Sequence, residues 1–241
     1  MFSKDGLMDE IRARFAHVDS CPFQGERVFF ENAGGALTLK SVVQTSAFYA
    51  AIPDNQGRDN VAAAELMQVI AKAKDDMAVM FNKSSGQFFV GESGTELLFR
   101  MIRTAVVESA DGGRVIGSSL EHPASRSAAI RWAGIAEKEY VSVPHNDATG
   151  SVSAKDYARH ITADTRVATI LHTSPVTGMA VDVEAVAALI RECAPDCLII
   201  VDGIQHAAHG RLDLTAYGVD GYAVSPYKVF SRHGYGLAWV S

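Results

Sequence analysis

Two side chains that are costly to bury stand at the ends of apolar runs. Asp202 follows Leu198-Ile199-Ile200-Val201, and Lys228 closes Gly221-Tyr222-Ala223-Val224-Ser225-Pro226-Tyr227. Each run reads as a short buried strand, because residues of high β-propensity are bounded by turn residues. In an open α/β sheet, ligands bind at the carboxyl ends of strands. A carboxylate and an amine placed there need partners to offset the cost of burial. A third feature is Gly91-Glu92-Ser93-Gly94-Thr95, ahead of a helix beginning near Glu96. Small residues at a helix N-terminus leave backbone N–H groups open, with the positive end of the dipole behind them, which is a phosphate site. The same residues also read as an ordinary Ser/Thr N-cap. Lys228 alone also reads as a lysine on a loop.

Pyridoxal phosphate (PLP) needs all three: an amine for a Schiff base with its aldehyde, a carboxylate against its ring nitrogen, and donors for its phosphate. Val201-Asp202-Gly203-Ile204-Gln205 followed by Ser225-Pro226-Tyr227-Lys228 resembles the core of the class V aminotransferases, and within them the cysteine desulfurase-like branch. Two matched blocks in order are far more specific than one. The resemblance implies that Lys228 forms the Schiff base and moves protons. It implies that Asp202 keeps the ring nitrogen protonated and that Gln205 donates to the ring oxygen. Gly94, Thr95 and Ser225 would hold the phosphate. Tyr227 stands where many desulfurases have His and would add a hydroxyl.

Further matches follow. Glu121-His122 is similar to the family's Glu-His pair, whose His stacks on the pyridine ring and can pass a proton. Asn32-Ala33-Gly34 is similar to the family's loop at the substrate end, and equally consistent with a tight strand-to-helix turn. Arg58, in a polar loop from Pro53 to Asn60 with Asn55 and Gly57, reads as a solvated residue before a substrate-carboxylate clamp. The chain departs from the family at Ser174-Pro175, where Ser-Asn is usual. Pro175 lacks the side chain that faces the ring hydroxyl, which points to altered reaction specificity.

The resemblance implies a PLP enzyme acting on an amino acid such as cysteine. A lyase, transaminase or epimerase on the same core, or a non-catalytic binding or scaffold protein of this fold, are the alternatives. Residues 1–241 are expected to form the PLP-binding large domain of a fold type I enzyme with an N-terminal segment, without the small C-terminal domain. The family's desulfurases carry a sulfur-attacking cysteine and a carboxylate-binding arginine well beyond the lysine, whereas Lys228 stands 13 residues from Ser241 (241 − 228). Trp239-Val240-Ser241 reads as an apolar strand with an uncovered edge, a pairing hazard. The chain is therefore expected to be part of a longer one, to pair with a companion chain, or to form a homo-oligomer such as a dimer.

Composition narrows the class. The 241 residues are 48% hydrophobic, enough for a sizeable core, with formal net charge −6. Lys and Arg are scattered, so nucleic acid and anionic membrane are poor partners. No apolar stretch approaches the ~20 residues of a membrane span. Met1-Phe2-Ser3-Lys4-Asp5 shows no signal-peptide core. Cys21, Cys193 and Cys197 make no disulfide or zinc framework, and a cytoplasmic location is expected. Cys193 and Cys197 read as buried small hydrophobes. His206 and His209 can share a helix face, but no third ligand has convincing spacing, so they read as packing and no metal is expected.

The elements that must position these groups alternate. Helices are expected over 5–17, with Leu7, Ile11 and Phe15 on one stripe, then 39–52, 61–81, 96–107, 125–136, 154–161 and 182–192. Strands are expected over 28–30, 88–90, 114–117, 139–143, 167–171, 198–201 and 234–240, besides the run ending at Lys228. Met67, Met77 and Met80 read as core filler. The alternation predicts an α/β fold, a mainly parallel sheet with helices on both faces.

Overall fold

A computed structural model describes residues 6–53 and 56–241. Asn55 and the segment 1–5 lie outside the described residues. The chain divides into two compact units, residues 1–75 with 226–233, and residues 76–225 with 234–241.

In the first unit, α1 (Leu7–Ala13) is followed by a two-stranded pair, β1 (Ser20–Cys21) and β2 (Gly25–Glu26), and then by α2 (Lys40–Ala50) and α3 (Val61–Met80), whose last turn belongs to the second unit. The helix expected over 5–17 is only seven residues long. Phe15 lies beyond it and packs edge-on against Phe230 at 5.4 Å. The strand expected at Val28-Phe29-Phe30 does not form. The segment joins no ladder, and Val28 and Phe30 are 82% and 89% exposed. An apolar run becomes a strand only where a second strand takes up its hydrogen bonds. On α3, Met67 is 48% exposed, so it is not core filler, whereas Met77 is buried.

The second unit holds the sheet. Its strands are β3 (Gln87–Gly91), β4 (Arg114–Ser118), β5 (Glu139–Val143), β6 (Thr165–Leu171), β7 (Leu198–Asp202), β8 (Gly221–Val224) and β9 (Gly236–Val240). The order across the sheet is β3-β9-β8-β7-β6-β4-β5. Strands β5, β4, β6, β7 and β8 run parallel, and β9 is antiparallel to both β8 and β3. Strand β9 is thus paired on both sides, so the uncovered edge expected at Trp239-Val240 is absent.

Successive strand residues point to opposite faces, and the neighbours Val115/Ile116, Val167/Ala168, Ile200/Ile199, Ala223/Tyr222 and Ala238/Trp239 divide accordingly between two cores. One core packs under α4 (Gly94–Glu108) and α5 (Pro123–Ile135). Leu97, Leu98, Met101, Ile102 and Ala105 supply the buried stripe of α4 at i, i+3/i+4 spacing. The other packs under α6 (Ala154–Ala158), α7 (Val183–Cys193) and α8 (Leu214–Tyr217) through Tyr157, Val186, Ile190 and Leu214. Helix α6 stops three residues short of the expected Ile161. Cys197 is buried as expected, but Cys193 is exposed. The α/β reading with helices on both faces is borne out.

Candidate active site

The carboxyl ends of the strands gather most of the site residues of the second unit. Asp202 ends β7 and is only 3% exposed. Its Oδ1 accepts the backbone N–H of Ile204 at 3.1 Å, and its Oδ2 accepts the Ser125 hydroxyl at 3.4 Å. Gly203 follows because of space: a β-carbon there would meet the Tyr222 ring at 1.9 Å. Gln205 is buried and precedes a 3-10 turn over His206–Ala208.

Helix α4 begins where β3 ends. Ser93 is its N-cap, and the Ser93 hydroxyl accepts the Glu96 N–H at 3.1 Å. Gly94 and Thr95 take the first helical positions, where N–H groups have no acceptor within the helix. A β-carbon on Gly94 would lie 2.3 Å from the Ser225 hydroxyl oxygen and 2.6 Å from Ile204 Cδ1. Two first-turn N–H groups, the buried Ser225 hydroxyl and the dipole end thus form a cradle suited to a phosphate.

His122 is the N-cap of α5. Its Nδ1 accepts the Ala124 N–H at 3.1 Å, which leaves Nε2 to carry the hydrogen of the neutral ring. Glu121, one residue earlier, is 4% exposed. Its Oε1 accepts the Leu171 N–H at 2.9 Å and the Ser118 hydroxyl at 3.2 Å. Burial first, and then the charge of Asp202, push its carboxyl up to about 8.

Beyond β6 the chain turns at Ser174-Pro175. The Ser174 hydroxyl accepts the N–H groups of Val176 and Thr177, each at 3.2 Å, so the proline sits in a side-chain-capped turn. His172 and His206 stack with ring centroids 3.4 Å apart and an interplanar angle of 7°. His172 Nδ1 lies 2.8 Å from the Tyr222 hydroxyl, and His206 Nδ1 lies 2.9 Å from that of Thr173. Burial, then His206, lower His172 to about 3. His206 makes the packing contacts expected of it, whereas His209, read the same way, is exposed.

The first unit holds the rest. Lys228 is buried, but not on a strand: β8 stops at Val224, and Pro226–Lys228 form a 3-10 turn. Proline at 226 has no N–H to give a ladder, which ends the strand there. The Tyr227 ring stacks on His233 at 4.3 Å, and the Tyr227 carbonyl accepts the Ala36 N–H at 2.9 Å. Asn32, Ala33 and Gly34 form an exposed turn in which the N–H groups of Gly34 and Gly35 donate to the Glu31 carbonyl. Gly34 and Gly35 border a cavity of about 550 Å³ with Cys21, Arg27 and His233. Arg58 is exposed.

Sequence reasoning missed Ser125 as a partner of Asp202 and left Glu121 without a role of its own. Ser125 lies three residues after His122 on the same helix, and that spacing was the available signal.

Residues 28–241 match the family described as Aminotransferase class-V. A probable cysteine desulfurase of Mycoplasma genitalium is 24% identical over 88% of this chain and 52% of its own length. The cysteine desulfurase-like protein ustD of Aspergillus flavus is 28% identical over 87% of this chain and 48% of its own. The chain thus spans about half the length of these curated relatives. Among solved structures, the cysteine desulfurase CsdA of Escherichia coli superposes with a TM-score of 0.81 at 22% identity, covering 100% of this chain and 58% of the other. The apo cysteine desulfurase of Thermococcus onnurineus NA1 gives 0.83 at 17%, covering 96% and 56%. These two likenesses establish the fold.

Proposed function

This chain belongs to the class-V aminotransferase family, and we propose that it is a PLP-dependent enzyme acting on an amino acid in the manner of the cysteine desulfurases. The observation that carries the reading is the cradle of Gly94, Thr95 and Ser225 in the same unit as the buried Asp202 carboxylate. The donor set fits the cofactor: a phosphate meets N–H and hydroxyl donors without a β-carbon in the way, and a ring nitrogen meets an anion already held by two donors. When bound, the cofactor supplies an electron sink for bonds broken at the substrate's α-carbon.

The chain's own residues do the rest. Lys228 would hold the cofactor at its aldehyde carbon through Nζ, the aldehyde oxygen leaving as water, and would then hold the proton moved at the α-carbon. Asp202 would keep the ring nitrogen protonated, Gln205 would donate to the ring oxygen, and His122 would stack on the ring. Gly94, Thr95 and Ser225 would hold the phosphate, with the Tyr227 hydroxyl as a further donor. Asn32, Ala33 and Gly34 border the substrate. The substrate carboxylate is clamped by Arg58 or by a residue from a dimer partner, a companion chain or further sequence of a longer chain.

A second reading, lyase, transaminase or epimerase chemistry on the same core, is favoured by Pro175, which offers no side-chain contact to the ring hydroxyl. The test is absorbance titration of the purified chain with PLP, followed by product analysis from cysteine with and without added thiol. Sulfide and alanine support desulfuration, and other products support the second reading. No spectral change at saturating PLP would contradict both and leave a binding or scaffold role for the fold.

A further inference from the structure

Two carboxyl groups share the buried end of the sheet, and their partners are unequal. Both oxygens of Asp202 receive donors, from the Ile204 N–H and the Ser125 hydroxyl. Glu121 has both of its donors, the Leu171 N–H and the Ser118 hydroxyl, on Oε1. Its Oε2 is buried without a hydrogen-bond partner, as is the Tyr140 hydroxyl. The two side chains flank the same point beside Gly117, without a hydrogen bond between them. Glu121 Cγ and Tyr140 Oη are 3.5 and 3.3 Å from the point where a side chain on Gly117 would begin. Leu171, which donates to Glu121, is the cross-strand partner of Asp202.

We propose that Glu121 is a positioning residue for Asp202: it carries one proton on Oε2 and leaves Asp202 as the charged carboxyl of the pair. Two carboxylates in one dry site cannot both ionise cheaply. The proton therefore goes where no donor stands, since it turns an unpaired acceptor into a donor and removes a buried charge. Neutral Glu121 still accepts the Leu171 N–H, so it ties the end of β6, beside Asp202, to the Glu121-His122 corner. The groups facing Glu121 agree. Asp202 on β7 raises it, and burial raises it more. Tyr140 on β5 and Tyr157 on α6 are themselves pushed up by burial and then by Glu121. The charge of Arg126 acts on Tyr140 in the opposite sense.

The location of the proton stands on the structure alone, and its use in holding Asp202 ready for a ring nitrogen rests on the proposed function. Infrared spectroscopy of the 241-residue chain, titrated with base, separates the two. The expected result is a protonated-carboxyl C=O band at pH 7 that disappears on titration, is lost in Glu121→Gln, and keeps a lower titration midpoint in Asp202→Asn. Tyr140→Phe, which removes only a hydroxyl, should shift the band's frequency, and this variant serves if Glu121→Gln does not fold. A band retained in Glu121→Gln, lost in Asp202→Asn, or missing from the wild type at pH 7 would overturn the proposal. Added PLP should lower the midpoint as Asp202→Asn does. A midpoint unmoved by PLP but moved by Asp202→Asn overturns the cofactor reading while upholding the proton assignment.

Discussion

A β-carbon on Gly94 would stand 2.3 Å from the Ser225 hydroxyl oxygen. The clash falls on a side-chain oxygen and on the tip of Ile204, both of which can shift. Gly94→Ala should therefore fold, with a loss of about 1–3 kcal/mol from overpacking. The shift closes the cradle, and PLP affinity should fall about tenfold or more, since each tenfold is ~1.4 kcal/mol. Chemical denaturation and absorbance titration check the two halves separately.

Asp202→Asn should keep measurable cofactor but lose turnover. Breaking a buried charge pair costs ~3–5 kcal/mol. If the loss falls on the transition state, the rate drops roughly 10²–10³-fold or more. Unchanged turnover would show that Asp202 is not the partner of the ring nitrogen.

Glu121 makes stability fall as pH rises from the acid side through neutrality. Its folded value, about 8, lies above the ordinary 4.5. Between these values the folded state binds more protons than the unfolded one, so the stability Glu121 contributes is full below 4.5 and lost as pH rises toward 8. Urea denaturation of wild type and Glu121→Gln from pH 5 to 9 should show the wild type losing ground as pH rises.

His172 sets the acid side. Its folded value, about 3, lies below the ordinary 6.5. The stability it contributes is present above 6.5 and lost as pH falls toward 3. His172→Asn should weaken this acid dependence. It should also cost about 1–3 kcal/mol at pH 7, because the buried Tyr222 hydroxyl loses its partner. Acid titration followed by circular dichroism checks both.

The sheet was legible in the sequence because its strands are apolar on both faces. Val115/Ile116 and Ile199/Ile200 each serve two cores, and such runs can be recognised without knowing their neighbours. Val28-Phe29-Phe30 has the same local pattern but no partner strand, and nothing within three residues records that. The turn at Pro226 was misread as strand although proline carried the signal. Helix α4 and its Ser93 cap were readable from local residues. Contacts made across long separations were not: Ser125 meets Asp202 77 residues on, and Glu121 meets Leu171 50 residues on. The same holds for the interior place of β9, set by β3 about 150 residues earlier in the chain.

The central claim is that Lys228 is the residue bonded to the cofactor. Incubation of the chain with saturating PLP, reduction with borohydride and peptide mapping read this directly. The account predicts a single reduced PLP adduct on Lys228, absent in Lys228→Ala with the fold intact by circular dichroism. An adduct on another lysine, or none on the wild-type chain, would contradict it.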